Sequence, residues 1–351
     1  MIVVLLGIAY VFHWLGDSDG SRASHVSTGW ADEASCIRCH EQAAEFDQTG
    51  HAQTLRPADD RMSRELLSRL GLDPQAKTEG IAVVNKSDSI LATRLSDEIE
   101  TAIELDWCFG SGEHACTWVS LIPDSHGNTE ALEFRFSWFP SEERFGITPG
   151  QPLQPGGSSV SSMGVLFDAP KTRRCLACHA TFVPVNGGQV QDGIKAGVTC
   201  QRCHGPREKH VATDGEFHPE GWSQPDRMES VRRCAVCHRL PQEHSPDDIF
   251  PGNTDLVRFQ PVGLLQSECF RQSEMTCTTC HNPHLPLHQQ DIEGIRQCIQ
   301  CHDPQIEQHT LCGLHRTDDC LTCHMPKVRM TSPVSFTDHW IRSPDRPDGV
   351  N

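Results

Sequence analysis

Cys36-Ile-Arg-Cys39-His40, Cys175-Leu-Ala-Cys178-His179, Cys200-Gln-Arg-Cys203-His204, Cys234-Ala-Val-Cys237-His238, Cys277-Thr-Thr-Cys280-His281, Cys298-Ile-Gln-Cys301-His302 and Cys320-Leu-Thr-Cys323-His324 are seven copies of one pentapeptide, CxxCH. Each places two thiols three positions apart, with an imidazole directly after the second. That spacing presents both thiols from a single helical turn. CxxCH is the attachment signature of c-type haem. The thiols form thioethers with the porphyrin vinyl groups, and the histidine binds the iron as proximal ligand. One copy alone also suits a zinc half-site or a redox pair. Seven copies, each completed by histidine, point to covalently bound haem c, with iron held by His40, His179, His204, His238, His281, His302 and His324.

Composition agrees with a chain folded around cofactors. Its 351 residues leave room for two ordinary domains, yet only 37% are hydrophobic. Six of the seven motifs begin at or after Cys175. An aliphatic core would be thin there, and haem macrocycles are expected to fill the gap. Pro (23) and Gly (27) imply many connecting loops. The formal net charge of −17 and the lack of any basic run argue against nucleic acid and anionic membrane surfaces as partners. A basic redox partner would be steered toward such a surface, although solubility alone also accounts for it.

Eighteen cysteines are unusual for a reducing cytosol. Four lie outside the motifs: Cys108, Cys116, Cys269 and Cys312. Three pairings are open to them. Cys108–Cys116, across a Gly-Ser-Gly turn, and Cys269–Cys312 are the first expectation; buried free thiols are the alternative. The stretch MIVVLLGIAYVFHWLG at residues 1–16 is short for a membrane span and suits a secretory apolar region. It lacks a basic flank and an A-x-A site, so a cleaved leader and an inner-membrane anchor both stay open. Export to the periplasm or cell exterior is expected either way.

The organisation expected is a leader or anchor over 1–20, a first haem segment over 21–75, a β-rich insert and loop over 76–165, and a six-haem domain over 166–351. A short helix is expected over 41–50 and an amphipathic one over 61–70, stopped by Gly71. The runs from Ile81, Ile90, Thr101, Cys116 and Ala131 alternate apolar and polar residues and read as strands, with hairpins at Gly110-Ser-Gly and Ser125-His-Gly-Asn. Residues 140–162, rich in Pro, Gly and Ser, read as a loop.

Each iron has a sixth position. Of 20 histidines, thirteen lie outside the motifs, and eleven of those lie beyond the leader and linker. That supply suffices for bis-histidine ligation throughout. His51, His114, His210, His284, His309, His315 and His339 are the stronger candidates; His126, His218, His244 and His288 are weaker. Met163, Met228, Met275, Met325 and Met330 are methionine candidates, none singled out by spacing.

The strings Phe109-GSGEH with Trp118-Val119, Cys200-QRCHGP, Ser267-ECF, Met275-TCTTCHNPH, Cys320-LTCHMP and Thr337-DHWIR resemble those of periplasmic multihaem c-type cytochromes. That family includes doubled-CxxCH proteins and relatives of the tetrahaem carrier of ammonia-oxidising bacteria. The resemblance implies electron transfer between closely stacked haems, in a mainly α and irregular multihaem fold with a small β-rich insert. The chain departs from the four-haem relative in motif number and in the insert. The resemblance does not fix a donor or acceptor; the expected partners are redox proteins, either basic or membrane-bound cytochromes or quinol-linked complexes. Two alternatives stay open. One is an oxidoreductase acting on a small nitrogen or sulfur compound at a five-coordinate haem. The other is a haem-bearing subunit of a membrane redox complex or filament. Pentahaem nitrite reductases carry a CxxCK motif and a tyrosine, and hydroxylamine-oxidising enzymes a tyrosine cross-link. Here every motif ends in His, and the single tyrosine is Tyr10, in the apolar stretch.

Overall fold

The computed structural model describes residues 29–96, 99–155, 160–218, 225–303, 305, 319–330 and 333–343. Strands dominate its first half: β1 (Leu55–Pro57), β2 (Ile81–Asn85), β3 (Ile90–Ser96), β4 (Ile99–Leu105), β5 (Trp107–Phe109), β6 (Cys116–Pro123), β7 (Thr129–Phe139), β8 (Arg144–Ile147) and β9 (Gly164–Phe167). Strands β2, β3 and β4 form an antiparallel three-stranded sheet. The larger sheet runs β1-β5-β6-β7-β8, with β9 also on β7. At eleven residues, β7 is long enough to serve two partners along one edge. Its Ala131–Phe134 half pairs with β9 and its Phe136–Phe139 half with β8.

Three local features differ from the sequence expectation. The strand expected from Thr101 to Trp107 is broken at Asp106. The Asp106 carboxylate accepts from the Leu121 amide at 2.6 Å, and its carbonyl accepts from Ala58 N at 2.9 Å. This side-chain bond turns the chain out of the small sheet and into the large one. Burial pushes the Asp106 carboxyl up to about 6. The loop expected over 140–162 contains β8, which the free edge of β7 recruits. The helix expected over 41–50 is instead two 3₁₀ turns, Glu41–Ala43 and Phe46–Gln48. Strand β1, within the first haem segment, pairs with β5 and so ties that segment to the sheet.

Helices carry most of the rest: α1 (Ala34–Ile37), α2 (Arg61–Leu70), α3 (Pro74–Thr78), α4 (Ala169–His179), α5 (Cys200–His204), α6 (Glu208–Ala212), α7 (Arg227–His238), α8 (Gln260–Leu264), α9 (Glu268–Arg271), α10 (Cys277–Cys280), α11 (Asp291–His302) and α12 (Cys320–His324). Short strands β10 (Ala180–Phe182) to β13 (Lys195–Ala196), with β11 (Val185–Asn186) and β12 (Gln189–Val190) between them, follow α4. A closing hairpin joins β14 (Lys327–Arg329) and β15 (Ser335–Thr337). Asp60 caps α2, accepting from Ser63 N at 2.6 Å, and the helix buries Leu67 and Leu70. These meet Ile81, Ile90, Trp118, Leu132 and Phe134 in the main apolar core. That core belongs to the sheets. Beyond residue 200, the buried apolar side chains other than proline among the described residues are Val231, Ala235, Val257, Val262, Leu264, Phe270 and Val334. Among the described residues, no helix is long and apolar enough to cross a membrane.

One charge is sealed inside the sheet region. Arg135 of β7 is 1% exposed and pairs with Glu79, just past α3. Its remaining donors reach the carbonyls of Pro152 and Leu153 at 2.8 and 2.9 Å. Every neighbour of the guanidinium is thus an acceptor, which a buried cation requires. Replacing Glu79 with Ala should strand this charge and cost about 3–5 kcal/mol. Pairing it with Arg135→Met should recover most of the loss. Denaturant midpoints followed by circular dichroism read both; equal midpoints for wild type and Glu79→Ala would refute the pairing.

Candidate haem centres

Most motifs end a helix, so the chain delivers two thiols and an imidazole from one turn. The Asp168 side chain caps α4, accepting from Lys171 N at 2.8 Å, and Asp226 caps α7, accepting from Glu229 N at 2.8 Å. Helix α5 is held at Gly205, whose φ of 74° turns the chain away directly after His204. Cys175, Cys200, Cys234 and their motif partners are thereby fixed before any cofactor is considered.

The histidines then pair. His40 faces His210 with ring centroids 6.3 Å apart, and His51 faces His238 at 6.2 Å. His204 faces His284 at 6.0 Å, and His281 faces His339 at 6.1 Å. Each pair joins one motif histidine to one histidine from outside the motifs. Two metal–imidazole bonds of about 2 Å, plus about 1 Å from each nitrogen to its ring centre, need a gap of about 6 Å. The residues therefore fit a six-coordinate haem iron at each of these four pairs.

Hydrogen bonds choose the nitrogen that is presented. His179 Nδ1 lies 2.7 Å from Thr54 Oγ1 and 3.1 Å from the Thr54 carbonyl. His238 Nδ1 donates to Gln260 Oε1 at 2.7 Å, and His210 Nδ1 to the Phe217 carbonyl at 2.7 Å. His324 and His339 donate likewise to the carbonyls of Arg342 and Thr337, at 2.8 and 2.9 Å. With Nδ1 so engaged, Nε2 is left as the ligand atom. Burial lowers the basicity of His51, His179, His204, His238 and His281, and takes His339 down to about 4. At neutral pH these rings are neutral, the form a metal binds.

The motifs also touch one another. The sulfurs of Cys36 and Cys200 lie within 4.8 Å of each other, with a Glu33 oxygen beside them. Thioether formation would consume both thiols, so this triad is part of the haem arrangement and not a separate metal site. Cys237 Sγ donates to the Cys178 carbonyl at 3.9 Å, and Arg202 to the Ala177 carbonyl at 2.7 Å. Helix α7 packs on both α4 and α10; α10 packs on α11, and α11 on α12.

Other expected ligands are placed differently. The His114 ring packs on Phe336, at 4.6 Å, and not opposite a motif imidazole among the described residues. His218 stands beside His210, His126 bonds Ser125, and His288 sits in a 3₁₀ turn. His244 packs on Phe259, and its Nε2 is buried without a hydrogen-bond partner. His309, His315 and Cys312 lie outside the described residues. Met163 is buried within the sheet core. Cys108 and Cys116 lie side by side as buried free thiols, each accepting from Arg56 Nη2, at 3.5 and 3.7 Å. The expected staple is therefore not made. Thr54 and Gln260, which orient motif histidines, had no signal in the sequence.

Residues 157–205, spanning the second and third motifs, match the family model of cytochrome c554 and c-prime. A stretch of 162 residues is 24% identical to a multihaem cytochrome MtrA of Shewanella baltica, covering 39% of this chain and 45% of that protein. Another, of 172 residues, is 23% identical to a dissimilatory sulfite reductase MccA of Wolinella succinogenes, covering 38% of this chain and 22% of that protein. The chain thus spans less than half the length of these relatives. The crystal structure of the outer cell wall cytochrome OcwA shares the fold, with a TM-score of 0.55 and 13% identity over 90% of this chain and 80% of that one. These likenesses support a multihaem c-type cytochrome.

Replacing His51, His210 or His284 with Ala should each turn one low-spin ferric haem high-spin, without loss of haem mass. Replacing His126 should leave the spectrum as it is. Low-temperature paramagnetic resonance measures both, and an unchanged signal in any of the three would remove that residue from the ligand set.

Proposed function

We propose that this protein is an electron conduit carrying seven covalently bound, mostly bis-histidine haems. The observation that carries this reading is the meeting of four motif imidazoles with four others at the spacing a six-coordinate iron needs. An iron with both axial positions filled by protein has no site for substrate. Its chemistry is one-electron cycling, and histidine at both positions with a buried setting tunes its potential. The protein's own residues supply distance, orientation and dielectric.

The contacts between motifs suggest the route. Motif one meets motif three, and motif three reaches motif two through Arg202. The helix of motif four packs on those of motifs two and five, and motifs five, six and seven follow in turn. The route proposed is an unbranched line that runs one, three, two, four, five, six, seven, departing from sequence order at motifs two and three. Its mainly α and irregular fold would be built around the haems, braced by the β-rich insert. MtrA is by name a multihaem cytochrome, and OcwA by title an outer cell wall cytochrome. By analogy, we place this protein outside the cytoplasm, exchanging electrons with a basic or membrane-bound redox protein.

A second reading, catalysis at an open iron, has one observation in its favour. Among the described residues, His179 faces no second imidazole; Phe109 lies against its ring at 5.0 Å instead. One experiment separates the two. Fully reduced protein is mixed with sulfite, nitrite or hydroxylamine, and separately with an oxidised basic cytochrome. The conduit reading expects rapid oxidation only by the cytochrome. Saturable turnover of any of the small molecules would overturn it in favour of an enzyme.

A further inference from the structure

Helix α8 touches two histidine-bearing segments, those of His238 and His339, whose imidazoles would ligate two different haem irons. At its start, Gln260 Oε1 accepts from His238 Nδ1 at 2.7 Å. Near its end, Gly263 lies against the backbone that carries His339. A Cβ at Gly263 would stand 2.6 Å from Trp340 N, 3.0 Å from the His339 carbonyl carbon and 3.3 Å from Asp338 Oδ1. Two of these three atoms are backbone, which does not swing aside like a flexible side-chain end. Nor is the residue required by backbone conformation: Gly263 is helical, and Ala would favour a helix by about 1 kcal/mol over Gly. Close approach is what this glycine provides.

The docked segment is tied down from several sides. Buried Ser267 donates to the His339 carbonyl at 3.1 Å and accepts from Ile341 N at 2.8 Å. The Asp338 carboxylate accepts from Gly252 N, Trp340 N and Arg342 at 3.0, 2.9 and 2.7 Å. The His339 ring, with its Nδ1 spent on Thr337, then stands 6.1 Å from His281. Helix α8 also packs on α7, which ends in His238.

We propose that α8 is a positioning element for two adjacent haems: Gly263 seats His339 opposite His281, while Gln260 fixes the imidazole of His238. The proposal rests on the haem reading and deepens it by naming residues that act through the ligands. Gly263 and Ser267 govern whether the sixth ligand arrives. Gln260 governs how basic a fifth ligand is, since a hydrogen bond from Nδ1–H strengthens donation from Nε2 and favours the ferric state.

The test uses the full haem-loaded chain. In Gly263→Ala, haem mass should be unchanged, and a high-spin ferric signal worth one haem per chain should appear. Added imidazole should return it to low spin, and His339→Ala should reproduce the effect. Ser267→Ala, which adds no bulk, should give the same signal at lower occupancy. It serves as the test if Gly263→Ala does not accumulate. Gln260→Leu should keep all haems low-spin and raise the midpoint potential of one. Gly71→Ala, where an added Cβ meets nothing within 4 Å, is the control and should match wild type. An unchanged low-spin spectrum in Gly263→Ala, or in Ser267→Ala if that variant stands in for it, would overturn the proposal. So would a high-spin signal that imidazole does not quench. A wild-type mass without tethered haem would instead sink the haem reading, so mass and spin state together distinguish the two failures.

Discussion

Four pairs of imidazoles held 6.0–6.3 Å apart set the terms for the rest of this structure. Two imidazoles held across such a gap make little direct contact with each other. A haem iron with two axial bonding positions would fill that gap. Motif helices bring one ring of each pair, and distant segments bring the other. Each second ring serves a motif other than its nearest in sequence: His210 follows His204 but faces His40, and His284 follows His281 but faces His204. A ligand a few residues from its own motif lacks the chain length to pass around the macrocycle. Crossing between motifs follows from that limit, and it sews the segments together.

The two halves of the chain are accordingly stabilised by different means. Between residues 55 and 167, sheets bury an ordinary apolar core around Trp118, Phe134 and Leu67. After residue 200 the buried apolar side chains are few and scattered, and the third cluster centres on only Val231, Leu264 and Phe270. Such a core is too small to offset the conformational entropy of that length of chain. Tethered cofactors would supply the missing apolar volume. The sheet is linked to this region through α4, which packs on both β7 and α7, so it could brace the array without contributing ligands of its own.

Much of the candidate site was legible in the sequence, because covalent attachment demands a fixed spacing that survives any fold. The motif cysteines and histidines needed no coordinates. The surplus of histidines raised the expectation of second ligands, and His51, His210, His284 and His339 lie 6.0–6.3 Å from motif rings. Their partners were not legible, since ring pairing is a tertiary fact with no local pattern. The same holds for Gln260, twenty-two residues from His238 and unmarked by any motif. Alternation of residue types located most strands. It missed β8, whose four residues pair only because β7 offers an open edge, and it ran through Asp106, where one side-chain bond overrides strand propensity. His114, chosen for its neighbours in sequence, packs on an aromatic ring instead.

Everything proposed for this protein depends on iron porphyrin being joined to those fourteen motif thiols. The most direct measurement is the intact mass of the purified chain, with peptide mapping of each CxxCH. The account predicts seven haem adducts, one on every motif. Motif thiols found free, bound to zinc or joined in disulfides, with no macrocycle attached, would contradict it.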